Sequence, residues 1–231
     1  LKAYKTIFFD LDHTLWDFEK NSAEALHEIF CTYKLQQYDI EFNSFITKYK
    51  AINQHYWNLY RNNKITKEEL RTGRFIDTLT ALNINPSGIA GNLADDYIRL
   101  SPVKTNLLPG SLETLNYLKN KAYKLAIITN GFDEVQYTKL KSCNLHHFFD
   151  AVITSERAGV RKPHEKIFHY ALNQTQSKNT ECIMIGDDIE SDMLGSKKLN
   201  IDQVFFNPQQ IKHSHKFTYE IKLLEEVKKF L

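Results

Sequence analysis

Five runs along the chain are apolar at consecutive rather than alternate positions. They are Tyr4 to Phe9 and the stretches KLAIITNG (124–131), DAVITS (150–155), CIMIGDD (182–188) and QVFFN (203–207). A strand reads this way when both of its faces are covered, as in a parallel sheet between helical layers. Helical stretches separate the later runs: Asp133 to Ser142, His164 to Leu172 and Asp188 to Lys198. Strand alternating with helix predicts an α/β fold with a doubly wound, Rossmann-like parallel sheet.

Residues 16–101 break that rhythm. Leu26, Ile29, Phe30 and Tyr33 recur at helical spacing, as do Phe45, Ile46, Tyr49, Ile52, Tyr56 and Leu59. Thr66 with Glu69 three positions on reads as a capping box opening a third helix through Leu70, Phe75, Leu79 and Leu82. NPSG (85–88) marks a break before a fourth helix running to Leu100, and SPVKTNLLPGS (101–111) reads as a returning linker. The stretch is too long for a structureless loop and too helical for the sheet. The expected organisation is therefore an α/β core of residues 1–15 and 102–231 carrying an inserted helical domain of residues 16–101.

Composition narrows the function classes. At 231 residues, 42% of them hydrophobic and 25% charged, the chain supports a sizeable core and is not disordered as a whole. Thirty Lys and Arg against 28 Asp and Glu give a net charge of +2, which favours neither a dedicated nucleic-acid binder nor an acidic tail. No apolar stretch reaches the length of a membrane span. Cys31, Cys143 and Cys182 fit neither a disulfide framework nor a zinc site, so a reducing, cytoplasmic setting is expected. Oligomeric state is left open.

The chemistry gathers where the apolar runs end. The first run ends in Asp10 and Asp12, with Thr14 behind them. The second ends in Thr129, Asn130 and Gly131. Lys162 stands before Pro163 in GVRKPH (159–164), and the fourth run leads into Asp187 and Asp188, with Asp192 one turn on. In open parallel sheets, ligands bind beyond the carboxyl ends of the strands. Asp10 and Asp12, two apart on extended chain, are expected side by side, where like charges need a cation or a proton between them. With Asp187 they form an all-oxygen set suited to Mg²⁺. Thr129, Asn130 and Lys162 are candidate phosphate ligands. One carboxylate of the pair can attack phosphorus while the other handles the leaving-group proton. Taken singly, each piece has a plainer reading: a strand-end aspartate as a helix cap, a lysine before proline as a solvated turn. Four pieces in chain order, at the ends of four strands, favour an active site.

DLDHT, TNG, RKP and GDDIESD together resemble the four motifs of the haloacid dehalogenase superfamily, and the insertion resembles its helical cap. The resemblance implies a nucleophile at Asp10 and a general acid/base at Asp12. It implies Mg²⁺ held by Asp10, the main-chain carbonyl of Asp12, and Asp187. It places Thr129 and Lys162 on the transferring phosphoryl group and Asp192 behind them, orienting Lys162 or a metal-bound water. Asp188 occupies a position that varies in the family. Asp12 favours phosphoester over halide chemistry, since an alkoxide leaving group benefits from a proton and a halide does not. His13 reads as a turn spacer where the family more often has glycine. DFEKNSAEALHEIF, ITNGFDEVQYTKL and GVRKPHEKIFHYAL resemble the bacterial pyrimidine 5'-nucleotidase subgroup, which implies a small phosphorylated substrate and a cap that closes over it. Trp16, Phe18, Tyr56, Trp57, Tyr60 and Phe75 are candidates for stacking on a base, although most of them read as core of the helical bundle, while Arg61, Arg71 and Arg74 read as solvated face rather than substrate clamp. Alternatives are a phosphatase or mutase for small sugar or glycolate phosphates and, more distantly, a non-catalytic phosphate-binding module. A receiver-like domain would lack the inserted helices.

Overall fold

The computed structural model describes residues 3–231; residues 1 and 2, which the expected core segment 1–15 includes, lie outside them. Glu19–Lys104 forms one compact unit, and the remaining described residues form the other.

The second of these is the α/β unit. Its six strands are β1 (Thr6–Phe9), β2 (Lys124–Thr129), β3 (Ala151–Thr154), β4 (Cys182–Gly186), β5 (Asp202–Phe206) and β6 (Tyr219–Ile221). They pair in parallel in the order β3-β2-β1-β4-β5-β6. β1 therefore sits centrally, with β2 on one side and β4 on the other, at the point where the winding reverses. The unbroken apolar runs are explained by alternation across two cores. Ile7, Phe9, Leu125, Ile127, Ile183 and Ile185 share one cluster, while Phe8, Ala126, Ile128, Cys182 and Met184 share the other. β6 was not foreseen; three residues at an edge are too short to show a period.

Helices α1 (Phe18–Thr32), α2 (Phe42–Arg61), α3 (Lys67–Ala81) and α4 (Ala90–Leu100) account for most of the insertion. Leu26, Ile29, Phe45, Tyr49, Phe75, Leu79, Leu93 and Tyr97 form the core of the helical unit. The Thr66 box is present: its hydroxyl accepts from the Glu69 N–H at 3.2 Å, and the Glu69 carboxylate accepts from the Thr66 N–H at 2.7 Å. Arg74, expected on a solvated face, is only 3% exposed. It donates to Asn53 Oδ1 at 2.8 Å and lies 4.8 Å from the Tyr97 ring centroid.

Both junctions between the units fall three residues later than the expected positions 15/16 and 101/102. Trp16 is the reason. It is fully buried in the α/β core and bridges to Leu107, so it is removed from the candidates for stacking on a base. Around it the outgoing and returning chains bond to each other, Leu108 N–H to Leu15 O at 2.9 Å and Asp17 N–H to Asn106 O at 3.1 Å. The α/β unit continues through α5 (Ser111–Asn120), α6 (Asp133–Ser142), the short α7 (Ser155–Ala158) and α8 (Glu165–Thr175). Among the described residues no helix is long and apolar enough to cross a membrane.

Candidate active site

Asp10 follows β1 directly, its N–H bonded to Ile185 O at 2.9 Å. Lys162 reaches it from the loop before α8, with all three ammonium donors engaged. They go to Asp10 Oδ1 at 2.5 Å, Asp192 Oδ1 at 2.6 Å and Ile128 O at 2.7 Å. Asn130 holds that lysine by its main chain: the Lys162 N–H donates to Asn130 Oδ1 at 2.7 Å, and Asn130 Nδ2 donates to Lys162 O at 3.1 Å. The Asn130 side chain thus supports a neighbouring candidate phosphate ligand. Thr129, also buried, accepts the Gly131 N–H through its hydroxyl at 3.1 Å.

After β4 comes a π-helical segment, Ile189–Leu194, an arrangement frequent at functional sites. It brings Asp192 back beneath the strand end, and Gly186 is required there because a Cβ would collide with the Asp192 carboxylate. Asp188 caps the segment by accepting the Ser191 N–H at 2.8 Å. Thr14, fully buried, donates to Asp187 Oδ1 at 3.2 Å.

Carboxylate oxygens of Asp10, Asp187 and Asp192 lie within 4.8 Å of one another. Of the expected trio, Asp10 and Asp187 are brought together with Asp192 beside them; the Asp12 carboxylate is engaged elsewhere, and the part expected of Asp12 toward a metal is through its main-chain carbonyl. Its Oδ1 is paired with the Lys139 ammonium at 2.5 Å and its Oδ2 accepts from Gln136 Nε2 at 3.1 Å. The pair does not share one counter-charge, because each aspartate has its own lysine. The turn that follows Asp12 passes through His13 at φ 62°, the left-handed region that suits glycine and fits its reading as a spacer.

Lys139 and Gln136 were missed from sequence. The available signal was α6 itself, where Gln136, Lys139 and Leu140 fall at i, i+3 and i+4, and all three are buried.

Burial pushes the Asp10 carboxyl up to about 7, although the Lys162 ammonium pulls the other way and Asp192 adds to the rise. Burial first, then the charges of Asp10 and Asp192, raise Asp187 well above the usual carboxylate range. Burial opposes the charge on Lys162, but the two facing carboxylates outweigh it and raise the lysine. Three carboxylates thus face one ammonium, an excess of two negative charges when all are ionised. An all-carboxylate set with that excess fits a hard divalent cation such as Mg²⁺.

Comparison with known proteins places the chain in a family. A sequence family described as haloacid dehalogenase-like hydrolase matches residues 7–206. The pyrimidine 5'-nucleotidase YjjG of Escherichia coli is 35% identical over 202 residues, covering 87% of this chain and 85% of that protein. A glyceraldehyde 3-phosphate phosphatase of Pyrococcus furiosus is 30% identical over 211 residues, covering 89% and 82%. Among solved structures, YfnB of Bacillus subtilis bound to magnesium superposes with a TM-score of 0.88 at 29% identity, covering 99% of this chain and 98% of that one.

Proposed function

Because this chain belongs to the haloacid dehalogenase-like hydrolase family, and is therefore an enzyme, we propose that it hydrolyses phosphate monoesters through an aspartyl-phosphate on Asp10. The observation that carries the reading is the single ammonium of Lys162 held between Asp10 and Asp192, with Asp187 in the same cluster. Such a group neutralises a phosphoryl dianion beside the carboxylate that attacks it.

Asp10 attacks phosphorus and the P–O bond to the leaving alcohol breaks, while Asp12 gives that oxygen its proton. A water then attacks phosphorus, Asp12 takes the water's proton, and the acyl-phosphate bond breaks to return Asp10 and release phosphate. Lys162 and the Thr129 hydroxyl bind the phosphoryl oxygens, and Asp192 and Asn130 keep Lys162 aimed. Mg²⁺, when bound, is held by Asp10, Asp187 and the main-chain carbonyl of Asp12, and lowers the repulsion between the carboxylates and the incoming phosphate. The helical unit serves as the cap, and the substrates are small and soluble.

For the alcohol portion we infer a pyrimidine nucleoside or deoxynucleoside, from the 35% identity to YjjG. A small sugar phosphate is the second reading, favoured by the similarity to the Pyrococcus phosphatase. A panel of phosphate esters assayed with Mg²⁺ and with chelator tests both. Deoxyuridine and thymidine monophosphates are expected to show higher kcat/KM than hexose or triose phosphates, with activity lost to chelation. Sugars ranking first would replace the nucleotide reading, and undiminished turnover in chelator would remove the metal.

A further inference from the structure

We propose that Lys139 and Gln136 are positioning residues for Asp12, a clamp that fixes the orientation of the acid/base carboxylate. This rests on the phosphatase reading above. The two side chains stand one turn apart on α6, and each takes one carboxylate oxygen, Lys139 at 2.5 Å and Gln136 at 3.1 Å. Both are almost completely enclosed, at 3% and 1% exposure.

Three features argue that the clamp is built for its charged partner rather than for packing. The Lys139 ammonium lies 4.1 Å from the Trp16 ring centroid, and Asp12 is its one carboxylate partner among the described residues. A buried lysine with a single counter-ion stabilises a fold little, and an apolar residue of similar volume commonly does as well or better. Gln136 delivers its N–H to Asp12 while its own Oε1 stays buried without a hydrogen-bond partner. Such an orphaned acceptor costs about 1–3 kcal/mol, a penalty that packing alone does not require. Gly131 leaves the room, since a Cβ there would collide with the Gln136 amide.

The clamp thus joins the turn after β1 to the turn after β2 through α6. Each Asp12 oxygen retains a second lone-pair direction, so a clamped carboxylate can still exchange a proton with the ester oxygen.

Leaving-group dependence separates positioning from scaffolding. With Mg²⁺ present, kcat/KM is measured for an alkyl ester, deoxyuridine monophosphate, and for 2,4-dinitrophenyl phosphate, whose leaving group departs without a proton. This parameter covers the steps only as far as the departure of that group. Lys139→Met is expected to lower the alkyl-to-aryl ratio about 30-fold and Gln136→Leu about 5-fold, as fractions of the ~100-fold or more that proton transfer supplies. In an Asp12→Asn background, Lys139→Met should leave the ratio unchanged, because nothing remains to be aimed.

Equal losses on both esters, an unaltered ratio, or an undiminished effect in the Asp12→Asn background would each overturn the clamp while leaving the phosphatase standing. Should Lys139→Met not fold, Gln136→Leu decides alone by the same ratio. A wild-type protein that cleaves neither ester removes the phosphatase reading and the clamp together.

Discussion

Both compact units bury charge, and they do so in opposite ways. In the α/β unit, Asp10, Lys139, Lys162 and Asp192 are each buried, and acids outnumber lysines around Asp10. In the helical unit Arg74 is the one charged residue buried to that degree among the described residues. It meets an amide and aromatic faces rather than a carboxylate. A guanidinium is weakly hydrated and stacks well, so it can be enclosed with little strain on its surroundings. A crowd of buried carboxylates cannot be, because burial and mutual repulsion both disfavour the charged forms. The difference teaches where to look for function: in the charge that is out of balance, not in the charge that is merely buried.

The contrast can be broken or sharpened by substitution. The largest effect is expected at Asp10. Asp10→Asn should lower phosphatase kcat/KM by about 10,000-fold or more with folding retained by circular dichroism. Activity within tenfold of wild type would take away its role as nucleophile.

Lys162→Met comes next, since it leaves Asp10 and Asp192 enclosed without their cation. A loss of about 3–5 kcal/mol in chemical denaturation is expected, partly recovered when Mg²⁺ is added.

A smaller effect of opposite sign is expected at Asp187. Its carboxyl is raised in the folded state, first by burial, so the folded protein holds a proton that the unfolded chain has released. The stability contribution of such a group falls as pH rises above its unfolded value. Asp187→Asn should therefore raise Tm by about 2–4 °C at pH 8 without Mg²⁺, and by less at pH 4. Thermal melts at the two pH values decide the matter, and a variant less stable than wild type at pH 8 would contradict the imbalance.

The smallest effect is expected at Arg74. Arg74→Met should move Tm by no more than about 3 °C, because replacing a buried cation with an apolar chain is often near neutral. A loss matching that of Lys162→Met would erase the distinction between the two units.

What was legible beforehand follows the same divide between local and assembled features. Five of the six strands announced themselves because enclosure on both faces leaves unbroken apolar runs, and the Thr66 box was visible because it is local to four residues. Lys162 and Asp192 stood out by their place after strand ends, and the structure brings them together with Asp10. Lys139 did not. A lysine on a helix ordinarily faces water, and its burial here depends on Trp16 and Asp12, more than a hundred positions away. Arg74 was misread for the same reason, its enclosure set by Tyr49 and Tyr97 from other helices. Asp12 was placed beside Asp10 by strand geometry, but β1 ends at Phe9 and the Asp12 carboxylate is taken up by Lys139 and Gln136.

The bonded ladder that ties Leu15 and Asp17 to Leu108 and Asn106 has an evolutionary consequence. It brings the two ends of the insertion together as neighbours on the α/β unit, so the loop-closure cost of what lies between them changes only slowly with its length. Helices can be lengthened, exchanged or deleted at that gateway while the catalytic scaffold keeps its own bonds. A lineage can therefore vary the inserted unit without rebuilding the sheet.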